Sequence, residues 1–374
     1  MSGVSASPRG SVIDDEPTGI AFRLPGVHGV SDEAMLMFTR QIAALMRAGI
    51  PLTRSIPLLA EQSDKSSLRK ALNDVYYKVC AGAPLSAAMA HHRQIFPPLY
   101  TGMMRMGEVH GDITRVIESL AHYLEREVGI RKELKAAMVY PTFILGFTAL
   151  FTLFIFNFIL PYFVAIFDSL RVELPLVSKV LVGMVRVIND PVSSLGLLAV
   201  GAAGMYVLKC YLFSSIGSAQ WDSVKIRLPV VGRLLRKVAV ARVSRSLALL
   251  IGGGINLLVA LDLSGVVSGN KAYHKALTQA GDHLRRGQPL HEYFKKEQFL
   301  FPGHFSNMVM AGEEAGKLED LLEKLAEIYE MDVEYALKSF TAALEPLMVF
   351  VTGGVIGFII LAVFLPLYGV LNNI

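Results

Sequence analysis

Cysteine is nearly absent from this chain: Cys80 and Cys210 are the only two among 374 residues. One falls in a candidate soluble helix and the other at a candidate membrane border, so neither a disulfide framework nor a thiolate metal site is expected. Charge is also scarce. Charged residues make up 18% of the sequence, below the roughly 25% usual in soluble domains, while 53% is hydrophobic. The net charge of +4 is modest. Its basic residues gather beside apolar blocks rather than interleaving with aromatics, which speaks for topology and lipid-headgroup signals and against nucleic acid as a partner. A phosphate-binding loop is missing too, because Gly252-Gly253-Gly254 lacks the Gly-Lys-Ser/Thr that would have to follow it. That run is expected to stop a helix or allow close packing. His91, His92 and His110 do not form a ligand pattern, and no paired catalytic residues recur at a membrane face. The chain is therefore not expected to be an enzyme; no catalytic, cofactor-binding or metal residue is assigned, and no cofactor.

What the sequence does contain is apolar length. Residues 136–167 form a thirty-two-residue run without one formal charge. A hydrocarbon core about 30 Å thick needs roughly 20 helical residues at 1.5 Å each, so this run is long enough to span. Arg126, Arg131, Lys132 and Lys135 stand just before it, whereas Asp168, Arg171 and Glu173 after it show no basic excess. The residues before the span are thus expected in the cytoplasm. A weaker run begins at Pro191, diluted by Ser193, Ser194, Gly196, Gly201 and Gly204, and is read as a return span, with a re-entrant or surface helix as the alternative. Between the two, residues 176–188 read as an amphipathic helix outside the membrane or along its surface. Lys225, Arg227, Arg233, Arg236 and Lys237 repeat the inside signature, and the uncharged stretch from Pro346 onward gives a third span.

An internal repeat organises these parts. At a constant offset of 205 residues, Arg40, Leu45, Gly49 and Ile50 match Arg245, Leu250, Gly254 and Ile255. Phe96-Pro97 matches Phe301-Pro302, and Gly107-Glu108 with Gly111 matches Gly312-Glu313 with Gly316. Pro141 matches Pro346 at the two span entries. Helix breakers stay aligned without insertion, so two copies of one domain are expected. Copies in one compartment require an even number of crossings between them. The expected order is a disordered cytoplasmic tail (1–30), a first cytoplasmic helical domain (31–135), a first transmembrane segment (136–167), a periplasmic segment (168–190), a second transmembrane segment (191–213), a basic cytoplasmic linker (214–239), a second cytoplasmic helical domain (240–344), a third transmembrane segment (345–371) and a periplasmic tail (372–374). The fold class is an all-alpha polytopic membrane protein with two homologous cytoplasmic helical-bundle domains and three transmembrane helices.

Locally, Ser31 is expected to cap a helix over 32–48 that Gly49 ends, and Asp112 to cap the long helix feeding the first span. Gly107 to Gly111 is read as a glycine-bounded connection. A carboxylate there, Glu108 or Glu313, is suited either to accepting backbone hydrogen bonds and fixing the turn, to contacting a partner, or to binding a metal. Arg40 and Arg245 suit repeated polar contacts, a motor-facing surface or an intradomain salt bridge. Glu345, at the start of an uncharged span, has to sit at the cytosolic interface, pair with a base or line an assembly interface, because desolvating it alone is costly. Asn157 within the first span offers a weak interhelical contact.

The segments FTRQIAALMRAGIPL, GAPL and FPPLYTGMMRMGEVHG, matched by VSRSLALLIGGGINL, GQPL and FPGHFSNMVMAGEEAGKL, together with Tyr140-Pro141 and Glu345-Pro346, resemble the inner-membrane platform proteins of type II secretion and type IV pilus systems. The resemblance covers nearly everything from Phe38 to Leu371. Asn256 stands where the first copy has Pro51. The resemblance implies a noncatalytic, multi-pass protein of the bacterial inner membrane, amino terminus cytoplasmic and carboxyl terminus periplasmic. It implies coupling of a hexameric cytoplasmic assembly ATPase to insertion or extraction of pilin or pseudopilin subunits, with inner-membrane alignment proteins as neighbours, membrane lipids around it and homo-oligomers. Partner-binding or coupling candidates are Arg40, Glu108, Arg245, Glu313 and Glu345. A small oligomeric membrane transporter is the alternative, although most of each repeat is soluble and three spans offer little substrate path.

Overall fold

A computed structural model describes residues 30–170, 175–228 and 231–371. All but one residue of the expected amino-terminal tail, the tail at 372–374, and Arg171 and Glu173 lie outside the described residues. Every regular element among the described residues is helical. The first repeat runs α1 (Asp32–Arg47), α2 (Leu52–Gln62), α3 (Ser66–Cys80), α4 (Leu85–Ala90), α5 (Pro98–His110) and α6 (Ile113–Phe154). A π-helical turn (Ile155–Ile159) and α7 (Leu160–Leu170) continue α6. Then come α8 (Leu176–Asn189), α9 (Pro191–Phe213) and α10 (Ser215–Lys225). The second repeat is α11 (Val231–Gly252), α12 (Leu257–Val267), α13 (Lys271–Arg285), α14 (Leu290–Lys296), α15 (Gly303–Ala315) and α16 (Leu318–Leu371).

The punctuation of both repeats has the same physical cause. The Ser31 hydroxyl accepts a hydrogen bond from the Ala34 N–H at 3.2 Å, and the Asp112 carboxylate accepts from the Arg115 N–H at 3.0 Å, so each satisfies an orphan donor in a first turn. Gly49 and Gly254 close α1 and α11 with φ of 79° and 81°, a left-handed conformation that disfavours a side chain. The following N–H reaches back in both copies, Ile50 to the Leu45 carbonyl at 3.0 Å and Ile255 to the Leu250 carbonyl at 2.9 Å. Gly111 and Gly316 end α5 and α15 in the same way. The expected connection over 107–111 is helical as far as His110; only Gly111 leaves the helix.

Apolar faces of the two bundles merge into one continuous core. Ile42, Ile56, Leu72 and Met104 of the first repeat belong to the same buried cluster as Leu247, Leu261, Leu277 and Phe305 of the second. Residues 214–239, expected as a linker, contain α10 and the opening turns of α11. There Ile226, Leu234, Val238 and Ala239 are buried in that core. Asp222 of α10 is nearly inaccessible and accepts from the Lys271 N–H at 3.3 Å, tying α10 to α13.

Among the described residues three helices are long and apolar enough to cross a membrane, over Ile113–Ser169, Pro191–Leu212 and Leu318–Pro366. A second cluster lies at the far end of the first and third, where α8 buries Leu181, Val182 and Val185 against Phe156, Leu160 and Ala362. The Ser178 hydroxyl donates to the Ala362 carbonyl at 2.7 Å and the Asn189 amide to the Phe156 carbonyl at 3.1 Å. In the π-helical turn at Ile155–Ile159 the Leu160 N–H reaches the Ile155 carbonyl five residues back; Pro161 has no N–H to offer Phe156 in that register, and the Asn189 amide satisfies the Phe156 carbonyl instead. In contrast, none of the described side chains in the apolar window of α9 is buried.

Candidate functional site

Both repeats build an ion pair between their first and last helices. Arg40 of α1 pairs with Glu125 of α6, and Arg245 of α11 pairs with Glu330 of α16 through two bonds of 2.8 and 3.0 Å. The pairs obey the same offset as the sequence repeat. The Gly-Glu landmarks also agree. Glu108 accepts from the Ser86 N–H at 3.2 Å and from the Ser86 hydroxyl, while Glu313 accepts from the N–H groups of Leu290 and His291 at 2.7 and 3.1 Å. Pro84 and Pro289, the capping positions of α4 and α14, provide no side-chain acceptor, so a carboxylate from α5 or α15 supplies the cap. These glutamates therefore hold the short helices rather than the turn before the long one. Gly107 and Gly312 let the long helices approach, because a Cβ at either would meet Ile113 Cα at 3.1 Å or Leu318 Cα at 3.0 Å.

The two domains meet through unlike faces. Leu263 of α12 lies over Gly102 of α5, the Met103 side chain touches Gly253, and the His110 ring covers Gly254. The Gly252–Gly254 run is thus a site of close packing: Glu319 also crosses Gly252. Nearer the start of α11, Arg242 binds Glu127 of α6 through bonds of 2.9 and 2.6 Å, and Arg131, itself paired with Asp32, adds a third at 2.8 Å. Burial pushes the Glu127 carboxyl up, but the guanidiniums of Arg242 and Arg131 outweigh it and hold the group below its ordinary value. Sequence reasoning missed this cluster. Its signal was a break in the repeat, since Arg242 stands where the first copy has Met37.

The remaining residues mark the path into the membrane. Pro141 and Pro346 lie inside the uninterrupted helices α6 and α16. Among the described residues Glu345 has no ion-pair partner and is exposed. Further in, the Thr148 and Thr352 hydroxyls stand 3.4 Å apart, joining the first and third apolar helices side by side. Asn157 bonds its own helix, at the Leu153 carbonyl. His92 faces Asp74, and His91 and His110 face carbonyls of their own helices. Among the described residues no group of three or more His, Cys, Asp or Glu side chains is arranged to hold a metal ion.

The chain matches the family described as Type II secretion system (T2SS), protein F, twice, at residues 38–161 and 243–366. The type IV pilus assembly protein PilC of Thermus thermophilus is 34% identical over 353 residues, covering 94% of this chain and 86% of that one. The type II secretion system protein F of Xanthomonas campestris is 30% identical over 341 residues, 91% of this chain and 84% of that one. The type IV pilus assembly protein TapC of Aeromonas hydrophila is 30% identical over 330 residues, 88% and 79%. Members of this family are structural platform proteins of the membrane rather than enzymes, which sets aside the transporter alternative. Two matched copies, each ending in an apolar helix, and relatives aligned along almost the whole length carry one conclusion: the chain belongs to the type II secretion system protein F family and is an inner-membrane platform component of a type IV pilus or type II secretion system.

Proposed function

We propose that this platform couples a hexameric cytoplasmic ATPase to the insertion or extraction of pilin-like subunits in the membrane. The carrying observation is helix continuity: α6 and α16 each run unbroken from a six-helix bundle into an apolar segment. A bundle packed at one end of such a rod cannot shift without moving the other end. The polarity of charge around 136–167 supports a cytoplasmic amino terminus, both bundles inside, and a periplasmic carboxyl terminus. Of the five candidate residues, Arg40 and Glu345 keep surface for a partner. Arg245, Glu108 and Glu313 act by holding the bundles together. Alignment proteins of the inner membrane and the lipid itself are the remaining neighbours in this reading.

Inserting Gly-Gly between Lys135 and Ala136, or between Leu344 and Glu345, tests the coupling. The inserted chain is expected to reach the membrane at normal level and to lose pilus or secretion assembly. Retained assembly would remove the rod from the mechanism, and ATPase binding that survives deletion of both bundles would remove the coupling role altogether. Protease added from the periplasmic side should cleave at Arg171 and spare Arg236.

A further inference from the structure

Apart from α6 and α16, equivalent helices that lie side by side and meet at Arg126 and Glu330, the contact between the two bundles is heterologous: the α5–α6 face of the first meets the α11–α12 face of the second. Because the bundles are copies, each contact face has a counterpart that the chain itself leaves uncovered. On the first bundle, Leu58 occupies the position of Leu263, and is 41% exposed against 9%. Met37 occupies the position of Arg242 and is also exposed. Gly49, the counterpart of the His110-covered Gly254, has no atom near the space a side chain would fill. On the second bundle, Ile328 and Met331 occupy the positions of Tyr123 and Arg126, which lie at the junction, and both are exposed. Apolar side chains thus stand open on both unmatched faces, at positions the repeat relates to an interface already made.

We propose that these two faces meet between chains, the α15–α16 face of one copy seating on the α1–α2 turn, Met37 and Leu58 of a second copy. The proposal rests on the topology above, in which both bundles lie inside. The α6 and α16 helices lie side by side in one direction, joined at Thr148 and Thr352. The rotation relating the bundles then runs about the membrane normal, so repeating the contact keeps every bundle on one face. A heterologous contact confined to that plane closes into a ring or stops as an arc; it cannot climb into a filament. Asn307 stands where Gly102 does, so Leu58 meets an amide rather than bare backbone, and the contact between chains is looser than the one within a chain. That difference favours the intrachain pairing and keeps each chain's own bundles together.

Disulfide trapping in membranes tests this, because a bridge forms only where Cα atoms approach to about 7 Å or less. The full chain carries Cys80→Ser and Cys210→Ser, and two differently tagged copies are co-expressed, one with Leu58→Cys and the other with Asn307→Cys. A linked species containing both tags is expected, several-fold above a pairing of Asn307→Cys with Tyr77→Cys, whose side chain is exposed on α3. Gly102→Cys with Leu263→Cys in one chain should close intramolecularly and reports that the bundles are packed as described. Closure within the chain without the linked species between chains overturns the docking surface and leaves the coupling function standing. Failure of the intrachain pair removes the contact being repeated, and overturns the proposal together with the placement of both bundles on one side.

Discussion

The same ion pair sits in different surroundings in the two bundles. Arg40 and Glu125 each have side chains 48% exposed, whereas Arg245 and Glu330 are 18% and 12% exposed. The difference arises outside the pair: Arg126 of α6 reaches Glu330 at 3.8 Å, and the first bundle lies over this side of the second. An element copied by duplication became a surface feature in one place and an interior one in the other. Interior pairs hold geometry strongly once formed, because removing one partner strands a charge, while exposed pairs contribute little.

That contrast is broken most severely at the junction. Arg242→Ala leaves Glu127 buried with one guanidinium fewer and should cost about 3–5 kcal/mol, the usual penalty for an orphaned buried charge, read as a large drop in unfolding temperature of the detergent-solubilised protein. Next in size, Arg245→Ala should destabilise by about 1.5–3 kcal/mol, the range for a charge-assisted bond, while Arg40→Ala should stay under about 1 kcal/mol. Equal effects would show that burial does not distinguish the copies. Glu108→Gln and Glu313→Gln keep an acceptor but remove the charge at a helix amino terminus, so each should cost about 0.5–1 kcal/mol, with faster amide exchange confined to α4 or α14.

The pH dependence sharpens the same comparison. The Glu127 carboxyl lies below its ordinary value of 4.5 when folded. Its stabilisation is therefore fully present above that ordinary value and is lost as pH falls through the depressed folded value. Melting temperature should decline in that acid range, and Glu127→Gln should flatten the part of the decline that belongs to this group. An identical slope in the variant would assign the acid sensitivity elsewhere.

Most of the architecture was readable because its signals are local or repeated. Ser31, Asp112, Gly49 and Gly254 each dictate their conformation within four residues, and the constant offset aligned the two bundles. The junction was not readable, since Glu127 and Arg242 are 115 positions apart and neither belongs to the repeat pattern. The segment 214–239 misled for another reason. Arg233, Arg236 and Lys237 announce topology loudly enough to obscure Leu234 and Val238, whose four-residue spacing places them on one helical face buried in the core. The carboxylate caps of α4 and α14 were half visible: the acceptor chemistry of Glu108 and Glu313 followed from their type, but their targets lie 22 to 23 residues away along the chain.

The uninterrupted α16 also sets a mechanical ratio. Its 54 residues measure about 80 Å at 1.5 Å each. Pro346, where the uncharged stretch of the helix begins, divides them into arms of roughly 42 and 39 Å by the same rise. A rod tilting about that point is an equal-armed lever, so a sideways displacement of the bundle would reach the far end of the span reversed in direction and almost unchanged in size. Such a lever transmits stroke without amplifying it. In the proposed coupling, the step delivered in the bilayer is then fixed by how far the ATPase moves the bundle.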